Sequence, residues 1–426
     1  MTEKGTLAVS GPLQATAVER PGGGMVALTA LAAVLFLPSS TRFFVGNVSL
    51  TAGLLAACAL IIAMGVAGAY RLEGGRYWSA TVAVIAITVS LVIAHGAVAS
   101  LWFPLDLGRA GGSLAAAVVV VLSAYLVRTV LLQTADDALD RVVTWMSGLF
   151  ALIALFSLAE LQPIASEFVK PIFPFSEPSH FALSFAPFLI YQCVRLPLPW
   201  RIASLMAALT MAYLLESLSL VVAVAVAASC SLSGPLLLAG LLAAAGVSAN
   251  LDITYFTDRL DLAVDSTNLS TLVYIQGVEL IDAAVRETRG WGIGFQQLGV
   301  ASLNVPTTEL IYRILRDDAN LRDGGFLAAK LLAEMGYIGM ALILGYSYVA
   351  VRSALALRRL SGGDARGRAH ELLALSITVA LSIETFVRGV GYFSGTVLLL
   401  VTATLLTAEG GYLARRPVLR DLTRSA

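Results

Sequence analysis

The strongest constraint on this chain is a succession of apolar runs long enough to cross the hydrocarbon core of a membrane. They cover roughly 24–38, 48–70, 78–103, 113–133, 142–160, 179–194, 202–249 and 326–351. In lipid each backbone polar group has to be satisfied inside the protein, and a helix does this within one segment of about 20 residues. With 58% hydrophobic and 13% charged residues, about half the charge of a typical soluble domain, the expected fold is all-α. It is a polytopic transmembrane helix bundle with a bilayer for its surroundings.

Charge placement orients the bundle. The formal net charge is zero, so no global basic field points to nucleic acid. Arg71 with Arg76, Arg195 with Arg201, the cluster Arg352, Arg358, Arg359, Arg366 and Arg368, and the tail Arg415, Arg416, Arg420 and Arg424 all read as cytoplasmic. If the loops at Arg195 and after residue 351 are both inside, the stretch 202–249 crosses an odd number of times. Its length of about 48 residues, at about 1.5 Å each, suits one crossing with re-entrant parts or three short ones. Three gives about twelve helices. The expected plan is a cytoplasmic tail (1–23) leading into an uncleaved first helix, about nine helices in 24–249, a polar insert (250–325), three helices in 326–412 and a basic cytoplasmic tail (413–426). Both termini are then cytoplasmic, and in a diderm bacterium the insert is periplasmic. Cys58, Cys193 and Cys230 fall in apolar runs and read as packing residues, with no disulfide framework.

The insert is too long for a plain connector. Ser266, Thr267 and Asn268 offer N-caps to a helix with apolar positions Leu269, Leu272, Val273, Ile275, Val278, Leu280 and Ile281, ending near Gly290. A second helix is predicted after Pro306, through Leu310, Ile311, Ile314 and Leu315. A cap that merely shields the bundle is an equal reading of these helices. Between them lies Arg289-Gly290-Trp291-Gly292-Ile293-Gly294-Phe295. Alternating glycines let backbone approach a ligand, and arginine forks onto phosphate oxygens. Turn-forming glycine is the commoner explanation.

Two more clusters of ionisable groups fall on the side of the insert. One is Lys170-Pro171-Ile172-Phe173-Pro174-Phe175-Ser176-Glu177-Pro178-Ser179-His180, and the other runs from Glu384 through Arg388 to Tyr392-Phe393. Charges at membrane depth are costly and often functional. The structural alternatives are a snorkelling Arg388, a Glu384 paired with an arginine and a His180 that caps a helix; three clusters on one face weigh against all of them together.

The large outer loop before the last three helices, the Gly-Trp-Gly-Ile-Gly-Phe stretch, and Asp323-Gly324-Gly325-Phe326 leading to Glu334-Met335-Gly336-Tyr337-Ile338-Gly339 resemble the O-antigen polymerase and O-antigen ligase superfamily. Ser176-Glu177-Pro178-Ser179-His180-Phe181-Ala182 and Val387-Arg388-Gly389-Val390-Gly391-Tyr392-Phe393-Ser394 are more similar to the polymerase branch. The resemblance covers most of the chain through short motifs. It implies a glycosyltransferase of the bacterial inner membrane that moves a growing glycan from undecaprenyl diphosphate to another undecaprenyl-diphosphate-linked repeat unit on the periplasmic face, without a metal or other cofactor. A flippase and a chain-length regulator are implied partners. Ligases usually carry a histidine in the large loop; the three histidines here, His95, His180 and His370, all lie outside it, so transfer to lipid A core is the lesser reading. Glu216-Ser217 stands where many relatives show serine and arginine, which puts any role of that motif in doubt.

Such a reaction needs a base near the attacking hydroxyl and fixed cations for the departing diphosphate. Glu177 is the first candidate base and His180 the second. Arg388, Arg289 and Arg322, with Lys170 behind them, are the diphosphate candidates. A single inverting displacement is the simplest mechanism. Tyr392, Trp291, Tyr274 and His95 could contact sugar, against the competing readings of interfacial anchoring for the aromatics and an interhelical hydrogen bond for His95. Asp317-Asp318 and Asp258, Asp261 and Asp265 could hold a hard cation, but solvated loop carboxylates are far commoner. A transporter is the alternative of another class. Internal repeats are its mark, and the two halves show no convincing one.

Overall fold

The computed structural model describes residues 22–45, 49–71, 76–161, 172–261, 268–316, 324–361, 365 and 367–410. The first group of helices is α1 (Gly23–Val45), α2 (Leu50–Val66), α3 (Arg76–Ala99), α4 (Leu107–Leu132) and α5 (Asp136–Leu158). Next come α6 (Pro178–Arg195), α7 (Leu198–Leu214), α8 (Leu218–Ser231) and α9 (Gly234–Ser248). The insert contains α10 (Thr254–Leu260), α11 (Leu269–Glu287) and α12 (Pro306–Leu315), followed by α13 (Leu327–Leu360), α14 (Ala369–Phe386) and α15 (Gly395–Gly410). Among the described residues there is no strand, only an isolated bridge between Ile172 and Phe175.

Local chemistry sets the boundaries. The stretch 202–249 becomes parts of three helices. Glu216 takes a left-handed conformation (φ 50°), Ser217 caps α8 by accepting the Leu220 N–H at 3.3 Å, and Pro235 stands in the first turn of α9, where its missing N–H costs nothing. α5 begins at Asp136, ahead of the apolar run, because Asp136 and Asp137 favour the positive end of the helix dipole. In the insert Asn268 is the cap, accepting the Ser270 N–H, and Pro306 opens α12 as expected. α10 is an additional helix that the apolar pattern did not reveal.

Six helices, α1, α3, α4, α5, α13 and α14, are long and apolar enough to cross a membrane, and α2, α7, α8, α9 and α15 are shorter apolar helices. The outside of the bundle is apolar too. Ile87, Leu242 and Leu344 are 67%, 66% and 64% exposed, which suits contact with hydrocarbon and not with water. The interior is organised around α6, buried along its whole length from His180 to Val194, and its neighbour α14. Phe150 of α5 packs against Phe175, Phe181, Phe185 and Phe188, with ring centres 5.5–6.1 Å apart. This aromatic core supports the first turn of α6 from below.

One end of the bundle is tied by Arg201, whose side chain is buried. Its guanidinium donates to the Ser231 carbonyl, to the Ser361 hydroxyl and carbonyl at 2.7 and 3.0 Å, and to the Leu196 carbonyl at 3.0 Å. These groups finish α8, α13 and α6, so one side chain satisfies carbonyls that helix termini leave unpaired. At the same end His370 of α14 bridges Asp136 of α5 and the Leu131 carbonyl of α4, and Arg195 pairs with Asp140. Replacing Arg201 by Met keeps the bulk and strands these carbonyls. Thermal or chaotrope denaturation in detergent should show a loss of about 2–3 kcal/mol.

Candidate functional site

At the opposite end α13 is broken. Gly336 (φ 53°, ψ −126°) interrupts the helix between Leu327–Met335 and a second, longer stretch. A break leaves carbonyls and amides without their helical partners. Here the Gly290–Gly294 segment supplies them. Ile293 N–H donates to the Ala333 carbonyl at 3.0 Å, Gly294 N–H to the Glu334 carbonyl at 2.9 Å, and Tyr337 N–H to the Gly290 carbonyl at 2.9 Å. The alternating glycines are required by this contact. A Cβ on Gly292 (φ 84°) would lie 2.5 Å from the Glu334 carbonyl oxygen, and one on Gly336 would lie 2.1 Å from that of Gly290. The close approach that the glycines permit is therefore to the chain's own helix.

The Glu334 side chain completes the joint. Fully buried, it accepts the N–H groups of Gln296 at 2.9 Å and Leu298 at 3.1 Å. Lys330, one turn earlier on α13, acts on the same carboxylate, and its ammonium lies 5.3 Å from the centre of the Tyr392 ring. Tyr392 stacks on Phe295 at 5.4 Å. Burial, followed by the neighbouring Glu334 carboxylate, holds the Tyr392 phenol well above its usual range. The segment between α14 and α15 is thereby fastened to the glycine loop. It is fastened again where Gly389 N–H donates to the Gly325 carbonyl at 3.0 Å. Arg388 lies between the Gly389 attachment and the end of α14, where its N–H donates to the Ile383 carbonyl at 3.1 Å.

Arg388 meets the start of α6. Its Nη2–H donates to Glu177 Oε2 at 3.3 Å, and Ser179 Oγ donates to the same oxygen at 3.0 Å. His180, in the first turn of α6, has Nδ1 3.2 Å from Ser176 Oγ. Glu177 and Arg388 are partly open, with 43% and 23% of their side chains exposed, whereas His180 is buried. Desolvation alone would raise the Glu177 carboxyl, but His180, Arg388, the Ser179 hydroxyl and Arg42 outweigh it and pull it down to about 2. As it stands Glu177 is a counter-ion, and a poor acceptor of protons.

Two arginines that the sequence reading overlooked face the same carboxylate. Arg42 acts on Glu177 from the end of α1, which is held to the loop before α6 by Phe43 and Phe44 packing edge-on against Phe173 at 5.5 and 6.4 Å. Arg259 of α10 lies within Coulombic reach of Arg388, Glu177 and Glu216. Its guanidinium stands 4.3 Å from the centre of the Tyr255 ring, and Phe256 stacks on Tyr213 of α7 at 6.4 Å. A lone arginine in a polar loop and a basic last turn of α1 carried no local signal; proximity to Glu177 singles them out. Three guanidinium groups from separate elements, beside an imidazole and two carboxylates, can bind an anion and hold or move a proton.

The other expected site residues lie elsewhere. His95 donates its Nε2–H to the Trp291 carbonyl at 2.7 Å, so it helps to seat the glycine loop. Trp291 packs edge-on against Tyr337 at 6.2 Å, and Tyr274 of α11 stacks on Phe326 at 4.7 Å. Arg289 is exposed just beyond α11. Glu384, fully buried, accepts the Thr396 hydroxyl. Lys170, Arg322, Asp265, Asp317 and Asp318 lie outside the described residues. Among those described, no group of three or more His, Cys, Asp or Glu residues is placed to hold a metal. A cavity of about 790 Å³ lies at the Arg201 end, between the starts of α1 and α5. Among the described residues Arg141 is the only charged one lining it, so the chemistry belongs with the Glu177 cluster. No family model matches the chain, and no curated protein does.

The splice predicts a sharp contrast between a glycine of the loop and a glycine of the helix it repairs. Gly292→Ala, which drives a Cβ into the Glu334 carbonyl, should cost more than about 2 kcal/mol. Gly345→Ala, where a Cβ meets nothing within 4 Å, should be neutral or gain up to about 1 kcal/mol. Thermal melting in detergent reads both.

Proposed function

We propose that this protein is a membrane glycosyltransferase that polymerises lipid-linked oligosaccharide repeat units, moving the growing glycan from undecaprenyl diphosphate to a new undecaprenyl-diphosphate-linked unit. The observation that carries the reading is the cluster of Arg42, Arg259 and Arg388 around Glu177 and His180 at the insert end of the bundle. Guanidinium groups bind diphosphate oxygens in pairs. The likeness of the Glu177 and Arg388 stretches to the polymerase branch of the O-antigen superfamily points to the same substrate.

In this reading the six long helices, the five shorter apolar ones and the buried α6 make twelve crossings of a bacterial inner membrane. The end fastened by Arg201 is cytoplasmic, in keeping with Arg71 and Arg195 at that end, and the insert is periplasmic. The acceptor hydroxyl attacks the anomeric carbon while the arginines hold the departing diphosphate. Charge that grows on a leaving group is met by donors already in place, the most effective electrostatic form of catalysis.

A transporter is favoured by one observation, the broken helix α13, since broken helices line transport sites. The break is filled by the chain's own glycine loop, which favours a fixed scaffold over a moving path.

The test is incubation of the purified protein in nanodiscs with native undecaprenyl-diphosphate repeat units, read by gel and mass spectrometry. A ladder of longer lipid-linked glycans is expected. Transfer to lipid A core alone would mean a ligase, and movement of unchanged substrate a transporter. Arg388→Ala and Arg259→Ala, at normal membrane levels, should each lower chain lengthening by roughly 10²-fold or more, and Arg289→Ala much less.

A further inference from the structure

We propose that Glu177 is the resident counter-ion of this site, displaced from Arg388 by an incoming lipid diphosphate and made by that displacement into the acceptor of the attacking hydroxyl's proton. The inference rests on the reading of the site as one for lipid-diphosphate-linked sugars.

The geometry has two parts. The Glu177–Arg388 pair is long, at 3.3 Å, and both side chains are partly exposed. Such a pair is weak and open to exchange, whereas a diphosphate offers a guanidinium paired, charged acceptors. The second part is the change of charge around Glu177. Among the described residues the groups facing Glu177 are Arg42 from α1, His180 from α6, Arg259 from α10 and Arg388 from the α14–α15 connection, with Glu216 and Tyr255 bordering Arg259. A diphosphate diester brings two negative charges, and once Arg388 has turned to them Glu177 stands beside like charge without its cation.

The timing follows from this. Without substrate the arginines hold the Glu177 carboxyl far below the range in which it could take a proton from a sugar. Once the diphosphate has engaged them, the carboxylate faces a like charge and its proton affinity rises. The acceptor oxygen then bonds to the anomeric carbon, and the bond from that carbon to the diphosphate oxygen breaks with its electron pair left on the diphosphate. The hydroxyl proton passes to Glu177. It leaves with the departing diphosphate, and Arg388 pairs with Glu177 again.

The test is calorimetric binding of farnesyl diphosphate and of inorganic pyrophosphate to the full-length protein in nanodiscs. Glu177→Gln should bind farnesyl diphosphate roughly tenfold tighter than the wild type, because a competing like charge has gone, even though it no longer lengthens chains. Arg388→Ala should bind it roughly tenfold more weakly. Equal affinity of wild type and Glu177→Gln would overturn the displacement and leave the site reading standing. If neither binds farnesyl diphosphate or pyrophosphate, the site reading fails and the displacement with it. Pyrophosphate affinity equal to that of farnesyl diphosphate assigns recognition to the diphosphate alone and still supports the exchange. Should Glu177→Gln fail to fold, the wild type decides. Its chain lengthening at saturating donor should fall as pH drops from about 7 to about 5, because the displaced Glu177 must be unprotonated to take the hydroxyl's proton and the bound diphosphate raises its proton affinity; a rate unchanged over that range overturns the proposal.

Discussion

A helix cannot be interrupted within a membrane bundle unless something else satisfies its backbone, and the break of α13 at Gly336 is the interruption on which this architecture turns. The repair comes from a segment some forty residues earlier, whose amides and carbonyl take the places of the missing helical partners. Only glycine fits at Gly292 and Gly336, because the two backbones meet where a Cβ would have to stand. Glu334, buried beneath the joint, adds a charge-assisted grip on Gln296 and Leu298. Removing either side of such a buried charged contact is costly, because the other is left uncompensated.

From that joint the rest of the outer end is placed by contact. The glycine loop holds Tyr392 through Phe295, and the start of α13 holds Gly389 through Gly325. Arg388 is fixed on one side by these contacts and on the other by the end of α14, where its N–H donates to the Ile383 carbonyl, before it meets Glu177. Glu177 is fixed by the first turn of α6 and by the aromatic core around Phe150. The opposite end is tied separately, by Arg201 on three helix termini. A charged cluster that is partly open to its surroundings can keep one geometry because the surrounding backbone is closed.

Much of the helical order was legible in the sequence. The runs of apolar residues foretold the long helices, and Asn268 and Pro306 marked boundaries that the structure keeps. α10 was missed because seven residues with an acid and an arginine make no apolar stripe. Arg42 and Arg259 were missed because a single arginine looks alike whether it faces solvent or a carboxylate. The glycine motif was read as free to approach a ligand; its partner is forty residues away and on a helix that looked unbroken, since local propensity does not register a break that distant backbone repairs.

What the sequence by itself determined was an all-helical chain suited to a membrane, and a polar insert between two apolar blocks with ionisable groups near Glu177 and Arg388. Composition and periodicity are local properties, and burial in hydrocarbon rewards them directly. Only the tertiary structure decided which charges meet. It brought Arg42, Arg259 and Arg388 to one carboxylate, and it separated Arg289, Tyr274 and Trp291 from it. Coulomb energy depends on distance in space, and that distance is set by packing between segments far apart in the chain.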